Sequence, residues 1–207
     1  MRAVSELDVH HAYRLAGRFS KAAVVIVESA RGLFALGDSA RPSSLLPVLM
    51  KDRGRLYCFF GNPGGGIDMD MVNPYVTNAA FSLDLYLKVL LFVEQGRWSG
   101  GHGLLGLFAG LSKRSKAAIR TRFDLLVAEN PDYIFIRHHI RSETSLKEFE
   151  WDLDVLLGNS SSAFVDFRYS FDRGVGWFAG FWELKEALAS RIVELRPEMG
   201  SLVVNEG

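Results

Sequence analysis

Cysteine is nearly absent. Cys58 is alone in 207 residues, so the chain forms no internal disulfide and has no cysteine cluster for zinc. That usage fits a reducing compartment. No sign of charge dominates either, with 24 Lys+Arg against 24 Asp+Glu, which argues against a strongly basic nucleic-acid binder. The apolar runs read as far short of a membrane span. The opening "MRAVSELDVHH" is polar, so no secretory signal is expected and a cytoplasmic protein is the expectation. The chain has no Gly-x-Ser-x-Gly elbow, nucleotide fingerprint or His-Glu-x-x-His pair, which leaves hydrolase, dehydrogenase and metalloprotease chemistry without a motif. Gly64-Gly65-Gly66 lacks the trailing Gly-Lys-Ser/Thr of a phosphate loop and reads as a connector.

What is present points to helices. Hydrophobic residues make up 48% and charged residues 23%, ordinary for a globule long enough to bury a core. Apolar periodicity predicts a long helix over 5–35, stopped by Gly37, and a shorter helical piece in "RPSSLLPVLMKDRG". "RLYCFF" (55–60) is ambiguous between strand and buried helix end, and 61–74 reads as loop. Further helices are expected at 74–96, with Pro74 in its first turn and Gly96 past its end, at 103–111, and at 113–130 with Ser112 as N-cap. Others are expected at 145–157, at 163–172 capped from Ser160, Ser161 or Ser162, and at 177–197. In the last, Trp177, Phe181, Leu184, Leu188 and Leu195 fall on one stripe. Residues 132–141 read as an irregular or short extended link. The expected fold is a single all-α domain over 1–207, an antiparallel helical bundle with additional N-terminal helices. Residues 1–73 supply those helices and the Gly-rich loop, and 74–197 supply the helical core.

The helix at 74–96 carries the most information. At about 100° per residue, Thr77, Asp84, Lys88 and Gln95 fall within about 40° of one another. Ala80, Leu87 and Leu91 flank that strip on one side, and Phe81, Leu85 and Phe92 on the other. A solvated polar face is broader than this, so the strip suggests charges set into a groove or an interface. Asp84 and Lys88 are four apart, acid first, and can pair along the helix. That pair either neutralises itself at a partly buried edge or helps build a polar site against another helix.

"AAFSLDLYLKVLLFVEQG", then "GHGLLGLF", and later "DFRYSFD" resemble the HEPN superfamily (higher eukaryote and prokaryote nucleotide-binding domains). The residues that carry the resemblance are Asp84, Lys88, His102, Leu104, Leu107, Arg168 and Tyr169, in matching order. Asp84 stands where the family often has Glu, and Gly103 where it often has an acid. The likeness covers roughly 74–195. It implies a helical bundle, commonly a homodimer, that binds RNA or a nucleotide. Some members are metal-independent ribonucleases, some are toxins paired with a nucleotidyltransferase-type antitoxin, and some have no known catalysis. The nuclease members carry an Arg-x(4–6)-His motif. Arg97-x4-His102 fits that spacing, although it stands in the turn before the short helix, and no His follows Arg168-Tyr169.

The residues allow the same chemistry. Histidine is the side chain suited to proton transfer near neutral pH, so His102 can act as a general base on a ribose 2′-OH, with Arg97 holding the phosphate. Equally, His102 can cap the short helix with Arg97 solvated at the turn. Arg168 needs an acidic partner, Asp84 or Asp172, or else faces a phosphate beside Lys88. Lys113, Lys116 and Arg120 share a helix face that is either solvated or tracks a phosphate backbone. "RHHIR" (137–141) offers an anion-binding edge but no third ligand at metal spacing, and His10 and His11 read as surface residues. No cofactor or metal is expected. The expectation is therefore an RNA- or nucleotide-binding protein with Arg97 and His102 as candidate catalytic residues and Asp84, Lys88, Arg168 and Tyr169 as ligand-binding residues. The alternative is a non-catalytic dimeric interaction module of a toxin–antitoxin or defence system.

Overall fold

The computed structural model describes residues 6–33, 47–52, 55–60, 69–129, 152–161 and 180–204. The fold class is all-α. Helix α1 (Glu6–Leu33) is followed by a hairpin of β1 (Pro47–Asp52) and β2 (Arg55–Phe60). Then come α2 (Met69–Gln95), α3 (Leu104–Ala109), α4 (Lys113–Glu129), α5 (Leu153–Asn159) and α6 (Phe181–Leu195). A 3-10 turn (Pro197–Gly200) leads into a last short helix, α7 (Ser201–Val204).

The centre of the molecule is α2. Every residue from Ser82 to Leu91 is buried, which marks a helix enclosed on all sides and not one lying on a surface. Helix α1 runs antiparallel along it. Tyr13 meets Tyr86 edge-on at 5.6 Å and Phe19 meets Phe81 at 4.6 Å, while Ser82 Oγ donates to the Ala16 carbonyl at 2.8 Å. That last bond satisfies a hydroxyl that would otherwise be stranded in the core. The N-terminal segment, which the HEPN-like pattern does not reach, thus packs on the central helix. Helix α6 joins through Tyr75 and Phe181, edge-on at 6.3 Å. Helix α4 lies antiparallel to α6: Ser115 meets Arg191 at one end, and Phe123 meets Gly180 at the other. The expected stripe on the last helix holds where it is described, with Phe181, Leu184 and Leu188 buried and Leu195 half-buried; Trp177 lies outside the described residues.

Three sequence expectations change. The piece expected to be helical around 41–54 contains β1, which pairs antiparallel with β2 from Pro47↔Phe60 to Asp52↔Arg55. Pro47 cannot donate a backbone hydrogen bond and starts a strand without loss, and partner pairing settles the ambiguity of 55–60. Second, α2 begins at Met69, so Pro74 stands inside the helix and not in its first turn. Its missing N–H forfeits the intrahelical bond to the Asp70 carbonyl, in the second turn of the helix. Third, Pro74–Gln95 is long and apolar enough to cross a bilayer, yet 72% of its most apolar 18-residue window is buried inside the protein. The apolar runs are therefore longer than the sequence reading allowed, and α1 and α6 cover this one.

The short helix expected at 103–111 is α3, with Leu104 and Leu107 buried. Ser112 caps α4 as expected, its Oγ accepting from Ser115 N–H at 3.2 Å. Within 145–157 the described helix starts only at Leu153. The helix expected at 163–172, the link at 132–141 and the "RHHIR" segment lie outside the described residues.

Candidate functional site: a histidine against a buried ion pair

Asp84 and Lys88 pair as their spacing requires. Lys88 Nζ lies 2.9 Å from Asp84 Oδ2, and the two side chains are 5% and 0% exposed. The geometry is that of a charge contact and not of an aligned hydrogen bond, so Oδ2 accepts none in its buried position. A carboxylate removed from water this completely needs its counter-ion close at hand.

The third member arrives from beyond the helix end. Gly96 closes α2 at φ +66°, its N–H bonding the Phe92 carbonyl at 2.8 Å, as a left-handed C-terminal glycine does. From Gln95 back to Lys88 is seven residues of helix, about 10 Å. The residues between Gly96 and His102 can span about 20 Å when extended. They run back along α2 and bring His102 Nδ1 to 3.1 Å from Lys88 Nζ and 3.3 Å from Asp84 Oδ1. The imidazole is 47% exposed, so among the described residues the buried ion pair extends to solvent through a histidine ring.

One ring nitrogen cannot serve a donor and an acceptor at once. If Nδ1 carries the proton, it donates to Asp84, and Nε2 is the basic nitrogen of the ring. If Nδ1 accepts from Lys88, the proton sits on Nε2, which is then a hydrogen-bond donor. The constellation can therefore present either a base or a hydrogen-bond donor at Nε2 to a ligand.

The position of α3 fixes where the turn ends. Its first residue is preceded by Gly103, which provides no side-chain cap. Instead Leu104 N–H bonds the Ser161 carbonyl at 3.2 Å and Leu105 N–H bonds Ser161 Oγ at 3.3 Å. His102 is therefore not the cap of this helix, and its Nδ1 turns towards α2. Ser161, expected as a cap for the segment after it, serves α3 from 56 residues away.

Arg97 goes elsewhere. Its Nε donates to Gln95 Oε1 at 2.9 Å, and Gln95 Nε2 donates to the Gly110 carbonyl at 2.7 Å. Arg97 thereby lines a cleft of about 420 Å³ between the turn and α3, with Gln95, Trp98, Gly101, Gly106 and Leu107 among its walls. Of the polar strip on α2, Asp84 and Lys88 are buried, Thr77 is half-buried and Gln95 is exposed. Among the described residues, Asp84 and Lys88 thus reach the surface through His102. Arg168 and Tyr169 lie outside the described residues.

The basic trio of α4 divides. Arg120 pairs with Asp154 of α5 at 2.7 Å and sits over the Phe108 ring, 5.3 Å from its centre; its hydrogen bond to Asp154 pushes its pKa up. Lys116 Nζ donates to the Ala109 carbonyl at 3.1 Å, and Lys113 is exposed. His11 is exposed and His10 half-buried. Among the described residues, no group of three or more His, Cys, Asp or Glu side chains is placed to hold a metal ion.

Trp98 escaped the sequence reading. It is 36% exposed, with Phe92 behind it at 6.4 Å. The available signal was an aromatic next to an arginine in a polar, glycine-rich turn. Comparison with protein-family models, curated proteins and solved structures finds no match for this chain.

Proposed function

We propose that this chain is a HEPN-like helical protein that binds RNA or a nucleotide where His102 opens to solvent, and that His102 cleaves RNA without a metal ion. The observation that carries this reading is the placement of His102 Nδ1 within 3.1 Å of Lys88 Nζ and 3.3 Å of Asp84 Oδ1. With Nδ1–H held by Asp84, Nε2 takes the proton of a ribose 2′-OH. The 2′-oxygen then bonds to the adjacent phosphorus, the bond to the 5′-oxygen breaks, and water protonates the leaving oxygen. Asp84 stabilises the imidazolium so formed, the role a buried carboxylate plays behind a catalytic histidine. Arg97 is a phosphate-holding residue on the same turn. The HEPN-like pattern extends the proposal to a cytoplasmic homodimer paired with a nucleotidyltransferase-type antitoxin.

Purified protein incubated with mixed RNA in EDTA should cut it, and His102→Ala should stop the cutting. Cleavage that survives His102→Ala sinks the assignment.

A second reading rests on the depth of the ion pair. With 5% or less of either side chain exposed, Asp84 and Lys88 can serve packing alone, in a non-catalytic dimeric interaction module. Salt separates the two readings. RNA binding through phosphates weakens steeply as salt rises, whereas the module shows no RNA binding at physiological ionic strength.

A further inference from the structure

We infer that the cleft between the 96–103 turn and α3 is a subsite for one unpaired nucleotide of single-stranded RNA, with Trp98 stacking the base and Arg97 holding its phosphate. This inference rests on the RNA-binding reading above and adds to it a second locus and a substrate class.

Four observations converge on the cleft. Arg97 is pre-positioned: the relay from the Gly110 carbonyl through Gln95 to Arg97 Nε uses one of the five guanidinium N–H donors. The four on the terminal nitrogens remain for an anion, in the planar fork that suits phosphate. Trp98 has over a third of its surface exposed, on a turn anchored behind by Phe92. An aromatic held with a face available is what single-stranded recognition uses, because every base has a π-face and a duplex hides it. The lining leaves room: a Cβ built at Gly101 or Gly106 would meet nothing within 4 Å. Finally, a volume of about 420 Å³ falls within the range of small-ligand sites, about 300–1,000 Å³. Arg97 therefore serves as a binding residue one step removed from His102 and not as its partner at the reacting phosphate.

The test uses the full chain and a fluorescein-labelled single-stranded 12-mer RNA, alone or annealed to its complement, with anisotropy read in EDTA. Binding is measured in the His102→Ala background so that the RNA stays intact. The single strand should bind at least tenfold more tightly than the duplex. Trp98→Ala should weaken it about tenfold, the scale of one stacked base, and Trp98→Phe should recover most of that loss. Gly106→Leu, whose Cβ would meet nothing within 4 Å, extends into the cleft and should weaken binding similarly while the thermal midpoint holds. Arg97→Gln should lower the salt slope by about 0.7, one phosphate contact on a single strand. Unchanged affinity in Trp98→Ala and Gly106→Leu, or equal affinity for the duplex, overturns the subsite and leaves the RNA-binding reading standing. A parent protein that binds neither RNA overturns both.

Discussion

Lys88 Nζ stands 2.9 Å from Asp84 Oδ2 inside a helix with no solvent-facing side over this stretch. Removing one charge of such a pair strands the other. Asp84→Ala should therefore cost about 3–5 kcal/mol, whereas the joint change Asp84→Leu with Lys88→Met should recover most of that loss. Urea denaturation of the three proteins checks it. A cost below about 1 kcal/mol for Asp84→Ala would mean that the pair behaves as an exposed one.

His102 Nδ1 has a competing donor and acceptor, so deleting the donor should move a proton. In Lys88→Met, Nδ1 loses the ammonium at 3.1 Å and keeps the carboxylate at 3.3 Å. The neutral ring should then shift towards the form protonated on Nδ1. Ring nitrogen chemical shifts of labelled histidine would record the change, and an unaltered tautomer ratio would show that Lys88 does not act on this nitrogen.

Glu94 links the end of α2 to the start of α4. Burial alone would raise its pKa. Hydrogen bonds from the Ser112 hydroxyl and N–H and from the Ser115 side chain, with the charge of Arg191, outweigh burial and hold it below 4.5. The two Ser112 bonds measure 2.6 Å and 2.8 Å. A carboxylate whose folded pKa is depressed adds stability above its unfolded value, and that stability is lost as pH falls through the folded value. The difference in urea midpoint between the parent and Glu94→Gln should be full at pH 7 and shrink below pH 4.5. A difference that stays constant down to pH 3 contradicts the linkage.

Two glycines with positive φ separate backbone strain from crowding. Gly96, at φ +66°, has nothing within 4 Å of a built Cβ. Gly180, at φ +71°, would bring a Cβ to 3.1 Å from Leu156 and 3.3 Å from Phe123. Gly96→Ala should cost only the left-handed backbone penalty, about 1–2 kcal/mol. Gly180→Ala should add an overpacking cost of about 1–3 kcal/mol. Thermal melts of both variants give the comparison, and equal losses would mean that α4 and α5 yield at that point.

Local periodicity made much of this molecule readable. Residues four apart on a helix share a face whatever surrounds them, so the Asp84–Lys88 pair and the narrow strip around it follow from α2 being a helix. The Ser112 cap and the apolar stripe of α6 are local in the same sense. Neighbours dictated the hairpin at 47–60, because strand pairing needs a partner that periodicity does not name. They also dictated α3, whose free N–H groups are met by Ser161, and the different ends reached by Arg97 and His102, five residues apart. A glycine-rich turn has no preferred path of its own. Where α3 docks on Ser161 and where Gln95 meets Gly110 decide that the histidine returns to the ion pair and that the arginine lines the cleft beside it.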